Sequence, residues 1–163
     1  MLKSAPMPRK LPKIFPTSED AESAFYDAFE RGDIAAMNSV WAQEEDLGPS
    51  LTGENPSILC IHPQGPRLVG FDAIRESWTQ IFANGMQLRV RITEGRQFIG
   101  QTLAVHSVHE MLSVAGDKTA AQAILATNVY LLTENGWRMI VHHASPAPDA
   151  LEPKDSSAEH TLH

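Results

Sequence analysis

The chain has 163 residues, 42% hydrophobic and 20% charged, with 13 Lys and Arg against 20 Asp and Glu. That length suits one domain, and a chain of this size buries roughly 70% of its unfolded surface, enough for a core without metals or disulfides. The single cysteine, Cys60, excludes an internal disulfide and points to a reducing compartment, the cytoplasm.

No apolar run approaches the ~20 residues that span a bilayer. The first 16 residues hold Lys3, Arg9, Lys10 and Lys13 with four prolines, and no apolar stretch of the kind a secretory signal needs. They read as a disordered basic arm, residues 17–148 as the folded domain, and 149–163 as a polar tail. All 20 acidic residues follow Pro16 against nine Lys and Arg, and nine minus 20 leaves −11. A body of that sign repels phosphate backbones, which excludes general nucleic-acid binding.

Thr17-Ser18-Glu19-Asp20 opens a helix with hydroxyl caps and carboxylates at the positive end of its dipole. Ala21, Ala24, Phe25, Ala28 and Phe29 form its apolar stripe, Gly32 is a C-cap, and Asp33 caps a second helix over about 34–43. From Glu44 to Ser57 turn residues dominate, giving a long loop suited to a pocket lid. A short strand at Ile58–His62 ends at Pro63. A third helix follows, with Phe71, Ile74, Trp78, Ile81 and Phe82 on one side and Asn84-Gly85 closing it. The period then changes to two. Strands are predicted at about 86–93, 97–100, 102–114, 119–132 and 137–145, joined as antiparallel hairpins by turns at Gly100, Gly116-Asp117 and Asn135-Gly136.

Several of these segments are familiar together: the two helices joined by Gly32-Asp33 and ending in Val40-Trp41, then Ile61-His62-Pro63, Leu68 to Ile74, and Ser77-Trp78. With Gly136-Trp137 through His143-Ala144-Ser145-Pro146-Ala147-Pro148, the pattern resembles the nuclear transport factor 2-like superfamily, in its SnoaL-like branch. The last strand is also similar to the association domain of calcium/calmodulin-dependent kinase. The resemblance implies an α+β fold: a cone-shaped, curved antiparallel sheet packed on three N-terminal helices, forming a homodimer through the sheet. It implies either a small-molecule binding protein or cofactor-independent acid/base enzyme (isomerase, cyclase, dehydratase or hydrolase type, ketosteroid isomerase-like) with a hydrophobic pocket, or a non-catalytic homo-oligomerisation module. The fold alone does not choose between them.

Glu110 is the first catalytic candidate. It shares a strand face with Val108 and Leu112, and burial there would raise its pKa toward the range of a general acid or base. Asp46 is the second, in a region where relatives often carry an acidic residue, although the run Glu44-Glu45-Asp46 reads more simply as a solvated acidic run. His62, Cys60, Trp78, Phe82, Asn128, Tyr130 and His143 are pocket candidates. Asn128 and Tyr130 share a face with Ile124 and Ala126, and His143 is placed with Ser145, Trp137 and Met139. Hydrogen-bonded structure competes with a ligand role for each polar member.

Cys60 and His62 stand two apart on one strand face and could form a nucleophile pair. His106 and His109 point oppositely, as do His142 and His143, so a metal site would need ligands from several strands, and none is expected. No glycine-rich phosphate loop, Cys-x-x-Cys or G-x-S-x-G elbow is present, so no cofactor is expected. A small hydrophobic ligand is the expected partner.

Overall fold

The structure is a computed structural model that describes residues 11–48, 57–117 and 121–148. Helix α1 spans Ser18–Arg31 and α2 spans Ile34–Val40; a single 3-10 turn covers Glu44–Leu47. Strands β1 (Leu59–Ile61) and β2 (Arg67–Val69) precede helix α3 (Phe71–Ala83). The long strands follow: β3 (Leu88–Ile99), β4 (Leu103–Val114), β5 (Gln122–Thr133) and β6 (Gly136–Pro146). Together the six strands form a curved, unclosed sheet in the order β2-β1-β6-β5-β4-β3.

The helix boundaries follow from the chemistry of their ends. Thr17 Oγ1 accepts the Asp20 N–H, and Asp33 Oδ1 accepts the Ala36 N–H. Gly32 closes α1 in the left-handed conformation at φ 61°, which glycine adopts without a Cβ clash. Helix α2 stops sooner than expected, because Trp41 turns extended and forms a parallel bridge with Met139.

Four further features depart from the sequence expectations. The sheet is mixed, since β1 runs parallel to β6 while every other pair is antiparallel. Strand β2, which pairs with β1, lies where only a turn and a helix approach were expected. The expected strands at 86–93 and 97–100 are one strand, β3, bent by a bulge at Glu94-Gly95 with Glu94 at φ 50°. Phe15, placed in the disordered arm, is instead buried; its backbone bridges Gly136 and accepts the Trp137 N–H. A Cβ on Gly136 would lie 2.6 Å from the Phe15 carbonyl oxygen, so this junction requires glycine. Residues 1–10, most of the lid loop (49–56) and the tail (149–163) lie outside the described residues.

The core fills the space between the helices and the inner sheet face. Phe25, Met37, Val40, Trp41, Ile74 and Trp78 meet Ala104, Val108, Ile124, Ala126, Tyr130 and Met139. Phe25 stands edge-on to Trp41 and Trp78, at ring distances of 6.5 and 5.6 Å. No helix among the described residues is long and apolar enough to cross a membrane.

Candidate functional site

Helix α1 carries a second stripe that the apolar pattern hides. Ser18, Glu22, Tyr26 and Glu30 recur every four residues, and each turns a polar group toward the sheet. The Ser18 hydroxyl lies 3.0 Å from His106 Nε2, and Glu22 Oε2 lies 2.8 Å from His106 Nδ1. The Tyr26 hydroxyl donates to Glu110 Oε1 at 2.7 Å, and Glu30 Oε1 accepts the Val90 N–H. Four-residue spacing puts all four on one side of the helix.

On the sheet, strand pairing lays His106, Asn128, His142 and Cys60 side by side across β4, β5, β6 and β1. Asn128 Nδ2 donates to the Tyr26 oxygen at 2.9 Å, and its Oδ1 lies 2.7 Å from His142 Nδ1. Because a carbonyl oxygen only accepts, His142 Nδ1 carries the proton and Nε2 is bare. The result is a buried chain from Glu110 through Tyr26 and Asn128 to His142. Its ends, Glu110 and His142, are 5% and 3% exposed.

His62 stands beside this chain, 6.5 Å from His142 between ring centres. Its Nε2 is 2.8 Å from the Ser77 hydroxyl on α3, and its ring meets Trp78 edge-on at 4.8 Å. The Trp78 and Trp41 indole N–H groups are buried with no hydrogen-bond partner among the described residues. Such an orphaned donor costs about 1–3 kcal/mol.

Burial sets the electrostatics. It raises the Glu110 carboxyl to about 7, with the Tyr26 hydrogen bond pulling it down and the Glu22 charge pushing it up. Burial holds His142 down at about 3, helped by the neighbouring His62 and His143, and lowers His62 as well. Burial, then the Glu110 charge, raises Tyr26 well above its usual value. At neutral pH His62 and His142 are therefore neutral imidazoles, Tyr26 is a protonated phenol and Glu110 a half-ionised carboxyl.

The expected site residues divide accordingly. Glu110, Asn128, His62 and Cys60 converge, with Trp78 against His62. Tyr130 is buried beside them, its hydroxyl 3.4 Å from Glu22 Oε2. Phe82 packs against the core with Phe29, Ile81, Val90, Ile92 and Leu112, all of them only partly buried. Val90 and Ile92 pair across the strands with Leu112 and Glu110, so this apolar wall ends at the carboxyl.

Three candidates are corrected. Asp46 caps its own turn by accepting the Gln43 N–H at 2.8 Å and holds Asn135, away from Glu110. Cys60 lies 3.7 Å from His62 Nε2, but burial and the Glu110 charge push its thiol up to about 12, which disfavours the thiolate a nucleophile pair needs. His143 is exposed on the outer face, and the inward histidine is His142. A bulge at Ile140 is the cause: Tyr130 pairs with Met139 and Val129 with Val141, so the alternation inverts within β6. Trp137 and Met139 point inward before it, His142 and Ala144 after it.

Open clefts lie around the cone. One of about 450 Å³, at the helix ends, shares Phe82 with the apolar wall and is bordered by Gly32, Met86 and Leu88. Another of about 560 Å³ lies at Asp46, Leu131 and Asn135, remote from Glu110.

A three-helix cone over a curved sheet, with a buried polar chain across its interior, defines a class of small α+β folds. Residues 19–149 match the SnoaL-like domain, and the chain belongs to that family, within the nuclear transport factor 2-like superfamily. It is similar to a structure from Thiobacillus denitrificans provisionally described as a calcium/calmodulin-dependent protein kinase type II association domain: 37% identity, TM-score 0.71, covering 83% of this chain and 98% of that one. It is also similar to a protein from Streptomyces avermitilis provisionally described as a dehydratase of the nuclear transport factor 2-like family: 32% identity, TM-score 0.70, covering 78% and 91%. A protein of unknown function from Nostoc punctiforme with a cystatin-like fold shares the fold at 10% identity, TM-score 0.62, covering 82% and 96%. None of the curated proteins compared with the chain matches it.

Proposed function

We propose that the interior cluster is a cofactor-independent acid/base site acting on a small, apolar, oxygen-bearing molecule, in chemistry of the isomerase, dehydratase, cyclase or hydrolase type. The observation that carries this reading is the Glu110–Tyr26–Asn128–His142 chain, with its carboxyl held near neutrality at the end of an apolar wall. A carboxyl titrating near the working pH can both take and return a proton, worth ~10²–10⁴ in rate. In a dehydration, Glu110 would take the proton next to a carbonyl and return it to the departing hydroxyl, releasing water. The unpartnered Trp78 N–H supplies a donor for an oxygen of the bound molecule. The Streptomyces relative's description as a dehydratase supports this choice.

Incubating the protein in D₂O with a panel of neutral aryl ketones tests it without knowing the substrate. Wild type should exchange deuterium next to the carbonyl of at least one ketone, and E110Q should not. Equal exchange by both proteins would refute the assignment.

A second reading concerns assembly. Phe98, Val105, Val129, Val141, Leu59 and Val69 are successive cross-strand partners, forming one apolar row across the outer face of all six strands. Phe98 is 74% exposed. We propose that this row is the centre of a homodimer interface burying upwards of ~1,000 Å², which the Thiobacillus relative's description as an association domain favours. Sedimentation at micromolar concentration should give a dimer or larger, and Phe98→Glu should shift it to monomer. A monomeric wild type would refute it. The lone, buried Cys60 suits a cytoplasmic setting.

A further inference from the structure

The buried chain has a direction, and the direction can be reversed. With Glu110 ionised, Tyr26 O–H donates to Glu110, Asn128 Nδ2 donates to Tyr26, and His142 Nδ1 donates to Asn128. Each middle member donates once and accepts once. An amide has a donor end and an acceptor end, and a neutral imidazole carries its proton on either nitrogen. The same four side chains can therefore be wired in the opposite sense.

Protonating Glu110 calls for that reversal. Its new O–H, among the described residues, has the Tyr26 oxygen as its hydrogen-bonded side-chain neighbour. Once Tyr26 accepts that proton, its own O–H must turn to Asn128, whose amide then presents Oδ1. Nδ2 swings to His142 Nδ1, which must now be bare. A buried carboxylic O–H left without an acceptor is the costly alternative.

We propose that these four side chains form a reversible relay in which the protonation state of Glu110 sets the tautomer of His142. Ionised Glu110 goes with a bare His142 Nε2, a base; protonated Glu110 goes with His142 Nε2–H, an acid. One proton is gained, on Glu110 Oε1. The imidazole releases its Nδ1 proton to water and takes one from water on Nε2, so it stays neutral. When Glu110 removes a proton from a bound molecule, His142 thus becomes a donor at the other end of the chain. This deepens the acid/base reading and rests on Glu110 being its titrating group.

The groups facing the relay come from each neighbouring element. Tyr26 and Glu22 on α1, Cys60 on β1 and Tyr130 on β5 act on or feel Glu110; His62 just after β1 and the adjacent His143 act on His142, and Phe25 and Trp78 pack against it. His106 on β4 lies beside Asn128 and is held by Glu22 and Ser18. Near pH 7 burial keeps His62 and His142 neutral and Tyr26, Tyr130 and Cys60 protonated, while it raises the Glu110 carboxyl to about 7.

Nitrogen-15 NMR of the full chain reads the tautomer directly, with the Glu110 carboxyl followed by carbon-13 in the same samples. At about pH 8.5, well above a carboxyl pKa of about 7, the proton should sit on His142 Nδ1; at about pH 5.5 it should sit on Nε2, with the ring neutral at both. In E110Q the tautomer should no longer depend on pH. In Tyr26→Phe, Glu110 should still titrate while His142 stops responding. A single tautomer at both pH values while Glu110 titrates overturns the relay and leaves the acid/base reading standing. A Glu110 that does not titrate between these pH values overturns both.

Discussion

A carboxyl held up by burial must make the protein's stability fall with pH, and Glu110 sets the size of the effect. Its pKa rises from 4.5 to about 7 on folding. Between those values the native state holds a proton that the unfolded state has lost, so stability declines as pH rises. The contribution is fully present below 4.5 and gone above the folded value. At 1.36 kcal/mol per pKa unit, the loss from about pH 5 to about pH 8 is about 2.5 kcal/mol. E110Q removes this dependence, because its side chain does not titrate. Urea unfolding of both proteins at the two pH values measures it. The variant should gain about 2.5 kcal/mol on wild type in going from pH 5 to pH 8, worth roughly 5–10 °C in melting temperature. His142 acts in the opposite sense: its pKa falls from 6.5 to about 3, so it contributes stability above 6.5 that is lost as pH drops toward 3. That slope is common to both proteins and cancels in the difference. A gap that does not change with pH would show that Glu110 ionises as freely folded as unfolded, and the reasoning would fail.

Further outcomes follow from the same cluster. The Glu22 charge pushes the Glu110 pKa up, so Glu22→Gln should lower it, as read from the Glu110 carboxyl resonance; an unchanged or higher value would contradict the proposed coupling. Cys60, buried with its thiol at about 12, should resist iodoacetamide at pH 8 in the folded protein and react on unfolding. Rapid alkylation of the native protein would show that the cluster is open at this point.

Much of the fold was legible because its signals are local. Thr17, Gly32 and Asp33 mark helix ends by cap chemistry, and alternation in β4 and β5 separates His106, Glu110, Asn128 and Tyr130 from their outward neighbours. The parallel β1–β6 pair was not legible, since three residues such as Leu59–Ile61 carry no mark of their partner's direction. Choosing His143 over His142 has a similar origin. Alternation is counted from one end of a strand, and a single unpaired residue, Ile140, inverts the count without changing the pattern of residue types. Tyr26 is hidden in the sequence for another reason. The apolar stripe marks helix α1 in the sequence, whereas the polar residues beside that stripe, at Ser18, Glu22, Tyr26 and Glu30, are those that reach the sheet. A four-residue recurrence of polar groups next to an apolar face is a signal that could have found them.

The most direct test of the account is the titration of Glu110 itself, followed through its side-chain carboxyl carbon in the folded wild-type protein and assigned by its absence from E110Q. The account predicts a midpoint near 7, where one carboxyl can serve as acid and base in the same cycle. A midpoint near the ordinary 4.5 would leave a permanently ionised carboxylate beside Tyr26 at neutral pH, and would contradict the assignment of this cluster as a poised acid/base site.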